Sequence, residues 1–192
     1  AFVPDVDGDG LDEVALGAPE AAFDWGVAYL FFSSTFAAGG NFDASHVDFS
    51  TSYQAGGGLA GSALAAGDVD NDGLGDLLVG VQYHGASYLF LGTTLAAGGS
   101  PLIYDADIVF SAGIGDPALA IGDFDGDGWD DVAIGASRWD GDRGRVSLFY
   151  GYPLEPGAWS TADADVVITG ASAGDKAGYS VSFLGDVDGD AS

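Results

Sequence analysis

Asp5-Val-Asp-Gly-Asp-Gly-Leu-Asp-Glu13 runs directly into Val14-Ala-Leu-Gly-Ala18, and the same sentence returns twice. Asp68-Val-Asp-Asn-Asp-Gly-Leu-Gly-Asp76 leads into Leu77-Leu-Val-Gly80, and Asp123-Phe-Asp-Gly-Asp-Gly-Trp-Asp-Asp131 into Val132-Ala-Ile-Gly-Ala136. A fourth copy begins at Asp186-Val-Asp-Gly-Asp190. Each copy couples a cluster of hard oxygen donors to a short apolar strand, so one motif announces both a cation site and a repeated architecture.

Carboxylates at positions 1, 3 and 5 of a tight loop converge on one point, where they repel unless a cation sits among them. Two such charges about 4 Å apart cost roughly 4 kcal/mol at an effective dielectric near 20, and three cost on the order of 10 kcal/mol. All-oxygen ligation from several carboxylates on a flexible loop favours Ca2+ over Mg2+, which keeps its waters, and over Zn2+, which prefers His or Cys. The expected ligands are Asp5, Asp7, Asp9, the Leu11 carbonyl and Glu13 in the first loop. In the second they are Asp68, Asp70, Asp72, the Leu74 carbonyl and Asp76, and in the third Asp123, Asp125, Asp127, the Trp129 carbonyl and Asp131. Asp186, Asp188 and Asp190 begin a truncated fourth site, so the cofactor expectation is Ca2+ at three complete sites. Position 6 is Gly10, Gly73 or Gly128, where the chain must turn with a backbone angle a side chain resists. An EF-hand would place a bidentate Glu at position 12 between helices, but Leu16, Val79 and Ile134 stand there, inside β-type runs. Metal-free acidic turns are the plainer alternative, and the register of three full copies with their strands argues against it.

The loops begin at 5, 68, 123 and 186, spaced by 63, 55 and 63 residues. Each unit of about 60 reads as four strands: 2–3, 13–16, 27–32 and 46–49; then 62–66, 76–81, 86–91 and 105–110; then 118–121, 131–134, 145–150 and 165–169, with 179–184 opening a fourth unit. No stretch of ten residues carries helical apolar spacing, so the class is all-β. Four-stranded units of this length build β-propellers, whereas the rungs of a parallel β-helix are much shorter. The expected architecture is a partial β-propeller of about three four-stranded antiparallel blades, at 1–52, 53–112 and 113–172, with a fragment of a fourth at 173–192. Propellers need about four to eight blades, so the strand edges of this unit await further blades of the same chain or other copies.

Composition narrows the partners. Of 192 residues, 30 are acidic and only Arg138, Arg143, Arg145 and Lys176 are basic, for a net charge of -26. Nucleic acid and anionic membrane surfaces are excluded on charge, and no apolar run is long enough for membrane insertion. The four loops hold 17 of the 30 acidic residues, and four Ca2+ would return 8 charges, leaving a strongly acidic surface of about -18 of the kind that resists salting out. There is no cysteine, so neither a disulfide framework nor thiol redox chemistry is available.

These residues closely resemble the FG-GAP repeats of the integrin alpha-subunit propeller and its prokaryotic surface-protein relatives. The resemblance rests on Gly-Asp-Val-Asp-x-Asp-Gly, on strands ending at Gly17-Ala18-Pro19, Gly80-Val81-Gln82 and Gly135-Ala136-Ser137, and on Gly26-Val-Ala-Tyr-Leu-Phe, Gly85-Ala-Ser-Tyr-Leu-Phe and Gly144-Arg-Val-Ser-Leu-Phe. Asp105-Ala-Asp107 and Asp163-Ala-Asp165 add to it. It implies that calcium braces the turns between the first two strands of each blade and that ligands engage the opposite face. The chain is accordingly read as a non-catalytic calcium-binding module for adhesion, protein interaction or surface structure, extracellular or at the cell surface and meeting a protein or glycan ligand there or in the matrix; the alternatives are a glycan-binding, lectin-like propeller and the propeller of a secreted polysaccharide-active enzyme.

Four other features have plainer readings. Gly170-Ala-Ser-Ala-Gly174 fits the G-x-S-x-G nucleophile elbow, but Ser172 leads into a strand where the elbow needs a helix. His46 and His84 do not recur between units and read as surface residues. Trp25, Trp139 and Trp159 near turns could stack on sugars or cover blade edges, and Arg138, Arg143 and Arg145 flank the acidic run at 140–142.

Overall fold

The computed structural model describes residues 1–54, 57–113 and 115–185. It is all-β, in three sheets. The first holds β1 (Phe2–Val3), β2 (Glu13–Ala18), β3 (Val27–Phe31) and β4 (Phe49–Ser52) in sequential antiparallel order. The second begins with β5 (Ala60–Gly67), β6 (Asp76–Val81), β7 (Ala86–Phe90) and β8 (Ile108–Ser111), and the third with β9 (Pro117–Gly122), β10 (Asp131–Ala136) and β11 (Arg145–Phe149). β12 (Gly157–Ser160) leaves the third unit to pair in parallel with β8, making the second sheet five-stranded, and β13 (Val166–Thr169) completes the third.

Alternation of side chains fixes which faces meet. Ala15, Ala28, Leu30 and Phe49 of the first sheet pack on Leu77, Val79, Tyr88 and Phe90 of the second in one fully buried cluster. Leu78, Leu89, Ile108 and Phe110, on the other face of the second sheet, pack on Val132, Ile134 and Phe149 of the third. The middle sheet is therefore covered on both sides, and β6 is buried at every position. Face-to-face stacking of four-stranded antiparallel units is propeller construction, and the chain is a partial propeller.

Two glycines set how closely sheets approach. A Cβ at Gly17 would lie 1.9 Å from the Gly61 carbonyl oxygen, and one at Gly135 would lie 2.1 Å from that of Gly178. This explains the glycine near the end of the second strand in the repeat. Outer edges are also met by the following unit: β4 takes parallel bridges from Gly99 and Leu102, and β8 takes β12.

The structure corrects three sequence expectations. His46 belongs to a 3-10 turn, Ala44–His46, where its Nδ1 lies 3.0 Å from Asp43, and the fourth strand starts at Phe49. The second sheet has a parallel fifth strand that the sequence reading lacked. Positions 179–184 form no strand up to Leu184, although Val181 and Phe183 pack against the third sheet.

Candidate metal centres

The three complete loops lie at one end of the sheets, each between the first and second strands of its blade. Their internal hydrogen bonds repeat. The amide at position 6 donates to the position-1 carboxylate in every copy: Gly10 to Asp5 at 2.8 Å, Gly73 to Asp68 at 3.0 Å, Gly128 to Asp123 at 3.0 Å. Position 5 donates to position 3, Asp9 to Asp7 at 3.1 Å, Asp72 to Asp70 at 3.3 Å and Asp127 to Asp125 at 3.1 Å. Position 7 donates to position 5, Leu11 to Asp9, Leu74 to Asp72 and Trp129 to Asp127. Position 6 has φ of 85°, 87° and 90° at Gly10, Gly73 and Gly128, the left-handed turn that draws these amides inward.

Carboxylate oxygens converge in all three. Asp5, Asp7 and Asp9 bring donor atoms within 4.8 Å of one another, as do Asp123, Asp125 and Asp127, while in the second loop the trio is Asp68, Asp70 and Asp76. The donor set is wholly carboxylate oxygen, which fits a hard divalent cation such as Ca2+ and suits neither Zn2+ nor Cu2+. Asp186, Asp188 and Asp190 lie outside the described residues.

Position 9 has a second role that composition alone did not reveal. Glu13, Asp76 and Asp131 are fully buried. One carboxylate oxygen of each takes the position-2 amide, from Val6 at 2.6 Å, Val69 at 2.7 Å and Phe124 at 2.7 Å. The other takes an amide just past the third strand, from Ser33 at 3.4 Å, Gly92 at 2.7 Å and Gly151 at 2.8 Å. The side chain thus staples the loop to the strand 3 to strand 4 connection. Burial raises the pKa of all three carboxylates against the lowering effect of those amides, and pushes Asp76 up to about 8.

Three further carboxylates share the staple logic. Asp48, Asp107 and Asp165 accept from the amides of Phe32 at 2.7 Å, Leu91 at 2.9 Å and Tyr150 at 2.9 Å, tying the fourth strand's entrance to the third strand's exit. In the Asp-Ala-Asp pattern at 105–107 and 163–165 both aspartates are structural: the first accepts the amide that opens the 3-10 turn, from Leu102 at 2.9 Å and Ser160 at 2.8 Å, and the second ties the strands together. Ser33 also donates its hydroxyl to Asp9 at 2.6 Å, a contact the loop motif does not encode.

Neighbouring loops are joined to one another. Gly75 donates its amide to the Asp5 carbonyl at 3.0 Å, and Asp130 donates to the Asp68 carbonyl at 3.4 Å. In each pair, position 8 of one loop grips position 1 of the loop before it.

The other candidates fall away from these centres. Ser172 lies in a turn where its amide donates to Asp175, and the described residues after it form no helix. His84 rests against the Tyr53 ring at 4.8 Å. The Trp139 ring lies under the Arg145 guanidinium at 4.9 Å, and the Trp159 indole donates to the Glu155 carbonyl, so both are engaged by their own chain. Arg138 pairs with Asp116 at 3.3 Å and Arg143 with Asp140 at 3.4 Å, both across exposed surface.

A family model described as FG-GAP repeat matches residues 60–98 and 117–149. The chain is 29% identical over 196 residues to integrin alpha-8 of Gallus gallus, covering 94% of this chain and 17% of that protein. It is 35% identical over 141 residues to integrin alpha-7 of Homo sapiens, covering 67% and 11%, and 29% identical over 167 residues to integrin alpha-PS5 of Drosophila melanogaster, covering 78% and 15%. The chain therefore spans less than a fifth of the length of these relatives. Matched repeats, acidic loops and stacked antiparallel sheets agree that this chain is built of FG-GAP repeats in a partial propeller similar to integrin alpha chains.

Proposed function

We propose that this chain is a calcium-braced, non-catalytic propeller module that presents a protein-interaction surface outside the cell, in adhesion or in surface structure. The observation that carries the reading is the threefold recurrence of convergent carboxylates, at Asp5/Asp7/Asp9, Asp68/Asp70/Asp76 and Asp123/Asp125/Asp127, on loops of the same hydrogen-bonded form. Chance supplies one acidic turn easily and three in the same register with their strands hardly at all. The first nine positions of each loop supply the ligands, with the carbonyls of Leu11, Leu74 and Trp129 assigned to position 7 and Glu13, Asp76 and Asp131 acting as ligand and staple together. Calcium supplies the positive charge that lets these carboxylates stay close. The residues themselves fix where the loop turns and which strands it joins.

Extracellular placement is supported by the millimolar calcium found there, which loads weak sites, and by the likeness to integrin alpha chains. No helix among the described residues is long and apolar enough to cross a membrane. The interaction surface is assigned to the end opposite the calcium loops. Its loops include Phe23, whose large apolar side chain is 92% exposed in a left-handed turn that also takes in Ala22 and Asp24. Isothermal titration of the chelated chain with CaCl2 tests the reading: three sites taking up Ca2+ with a rise in melting temperature support it, and no heat of binding at millimolar Ca2+ would refute it.

A further inference from the structure

All four basic residues lie at the sheet ends away from the acidic loops. Arg138 and Arg143 sit in the β10–β11 connection, Arg145 opens β11 opposite Ala136, and the Lys176 amide bonds back to Asp142. The loop-bearing end has no lysine or arginine of its own among the described residues. At that end a cleft of about 250 Å3 opens between the second and third blades, lined by Asp70, Leu91, Trp129, Tyr152, Leu154 and Glu155. The Trp129 and Tyr152 rings meet at 5.2 Å and 54°, forming an aromatic corner, and Tyr152 is 63% exposed. Neither Asp70 nor Glu155 takes part in an ion pair among the described residues.

The corner is peculiar to the third blade. Position 7 is Leu11 in the first loop and Leu74 in the second, and becomes Trp129 only in the third. The connection after the third strand is a 3-10 turn, Ser33–Phe36, in the first blade and a helical turn, Gly92–Ala96, in the second. In the third it is the open run Gly151-Tyr-Pro-Leu-Glu-Pro156. Leu154 of this run is buried in the core between the second and third sheets, but the other two blades carry neither aromatic of the corner, so the repeat itself does not require Trp129 or Tyr152.

We propose that this cleft receives the basic side chain, lysine or arginine, of a partner polypeptide. The alkyl stem would lie along Leu91 and Leu154, and the cation against the faces of Trp129 and Tyr152 with Glu155 as its counter-charge. Asp70 belongs to the second loop's trio, so Glu155 is the carboxylate assigned to the cation. The acidic charge of the whole chain favours a basic partner over a neutral or acidic one.

The proposal goes beyond the calcium reading and depends on it only in that the third loop must hold Trp129 in place. The full chain, with its calcium content measured on the same sample, is titrated with a capped triarginine peptide while the indole N–H resonances are followed by NMR. The expected result is a saturable shift of the Trp129 resonance, weakened about five- to tenfold by Tyr152→Ala or by Glu155→Gln, the size of a partly desolvated cation–π contact. Both substitutions are at exposed positions, and an unchanged melt confirms that each variant is folded. Affinity that survives both and disappears in high salt would overturn the proposal by showing diffuse attraction to an acidic surface. So would a Trp129 shift caused by cellotriose and not by the peptide, or no shift in protein shown to be calcium-loaded.

Discussion

The backbone amide of Asp68 donates to Oδ2 of Asp130 at 2.9 Å, so the residue that begins one acidic loop is held by a side chain from the next. With the return bond from the Asp130 amide to the Asp68 carbonyl, the clasp fixes the backbone that aims the Asp68 carboxylate. Between the first and second loops the grip is backbone alone, because position 8 is Gly75 and a Cβ there would lie 2.1 Å from the Pro4 carbonyl oxygen. Asp130→Ala removes the side-chain half of the clasp and keeps the backbone half. Its expected cost is about 1 to 2 kcal/mol, with weaker calcium uptake at the second loop than in the parent chain. Titration calorimetry and thermal melts check it, and an unchanged isotherm would show that the loops bind independently.

Removal of calcium should be felt by the whole stack. At Ca2+ about tenfold above the dissociation constant each site contributes roughly RT ln 11, about 1.4 kcal/mol, and three contribute about 4 kcal/mol. For a chain of this size that corresponds to a fall in Tm of about 8 to 16 °C on addition of EDTA. Differential scanning calorimetry in calcium and in EDTA measures it, and coincident melts would mean that the loops bear no ion.

Two kinds of glycine should respond differently to alanine. At Gly135 the new methyl would strike the backbone oxygen of Gly178 at 2.1 Å, and backbone cannot step aside as a flexible side chain can. Gly135→Ala should therefore cost on the order of 3 kcal/mol by forcing two blades apart. Gly128 has open space around it but φ of 90°, so Gly128→Ala should cost about 1 kcal/mol through backbone strain and should chiefly weaken calcium binding at the third loop. Paired urea melts with and without calcium separate the two: the Gly135 penalty should persist in EDTA and the Gly128 penalty should shrink.

How much of this was legible follows from what each feature depends on. The strands flanking each loop were readable because a short continuous apolar run recurred in register with a rigid loop: 76–81 and 131–134 were expected, and Asp76–Val81 and Asp131–Ala136 are found, buried at every position. The fourth strands were set too early, at 46–49 and 105–110, because Asp48 and Asp107 fold back to cap the amides of Phe32 and Leu91. The chain before them turns, as 3-10 segments at Ala44–His46 and Ile103–Asp105, before it extends. β12 was silent because four residues opening on Gly157 carry no period, and its partner Ile108 lies in another blade. The expected strand at 179–184 has Val181 and Phe183 packed as a first strand would be, but a strand is defined by its ladder, and the fourth loop that would lead to its partner lies outside the described residues. At the site, the acidic residues were legible by type and spacing. That position 9 is buried and doubly bonded to amides was not, since the second amide comes from a connection 16 to 20 residues away.

Those buried carboxylates give the chelated protein an unusual pH dependence. Glu13, Asp76 and Asp131 all have folded-state pKa values raised by burial, with Asp76 near 8 against an ordinary value of 3.8. A raised carboxylate pKa means that the folded state holds its proton more tightly than the unfolded chain does. The associated stability is fully present below about pH 4 and is lost as pH rises through the folded value, up to about 8 for Asp76. In EDTA the Tm should therefore fall as pH is taken from 5 to 8, opposite to the trend for carboxylates that are paired in the native state. With calcium present the ionised form is the one that binds, so uptake releases protons and stabilisation by the ion grows over the same interval. The contrast is checked by melts at several pH values in EDTA and in excess CaCl2, with Asp76→Asn as the control. That variant should flatten the EDTA profile while losing calcium at the second loop, and a parent profile that rises with pH in EDTA would show that these carboxylates are not held in their protonated form.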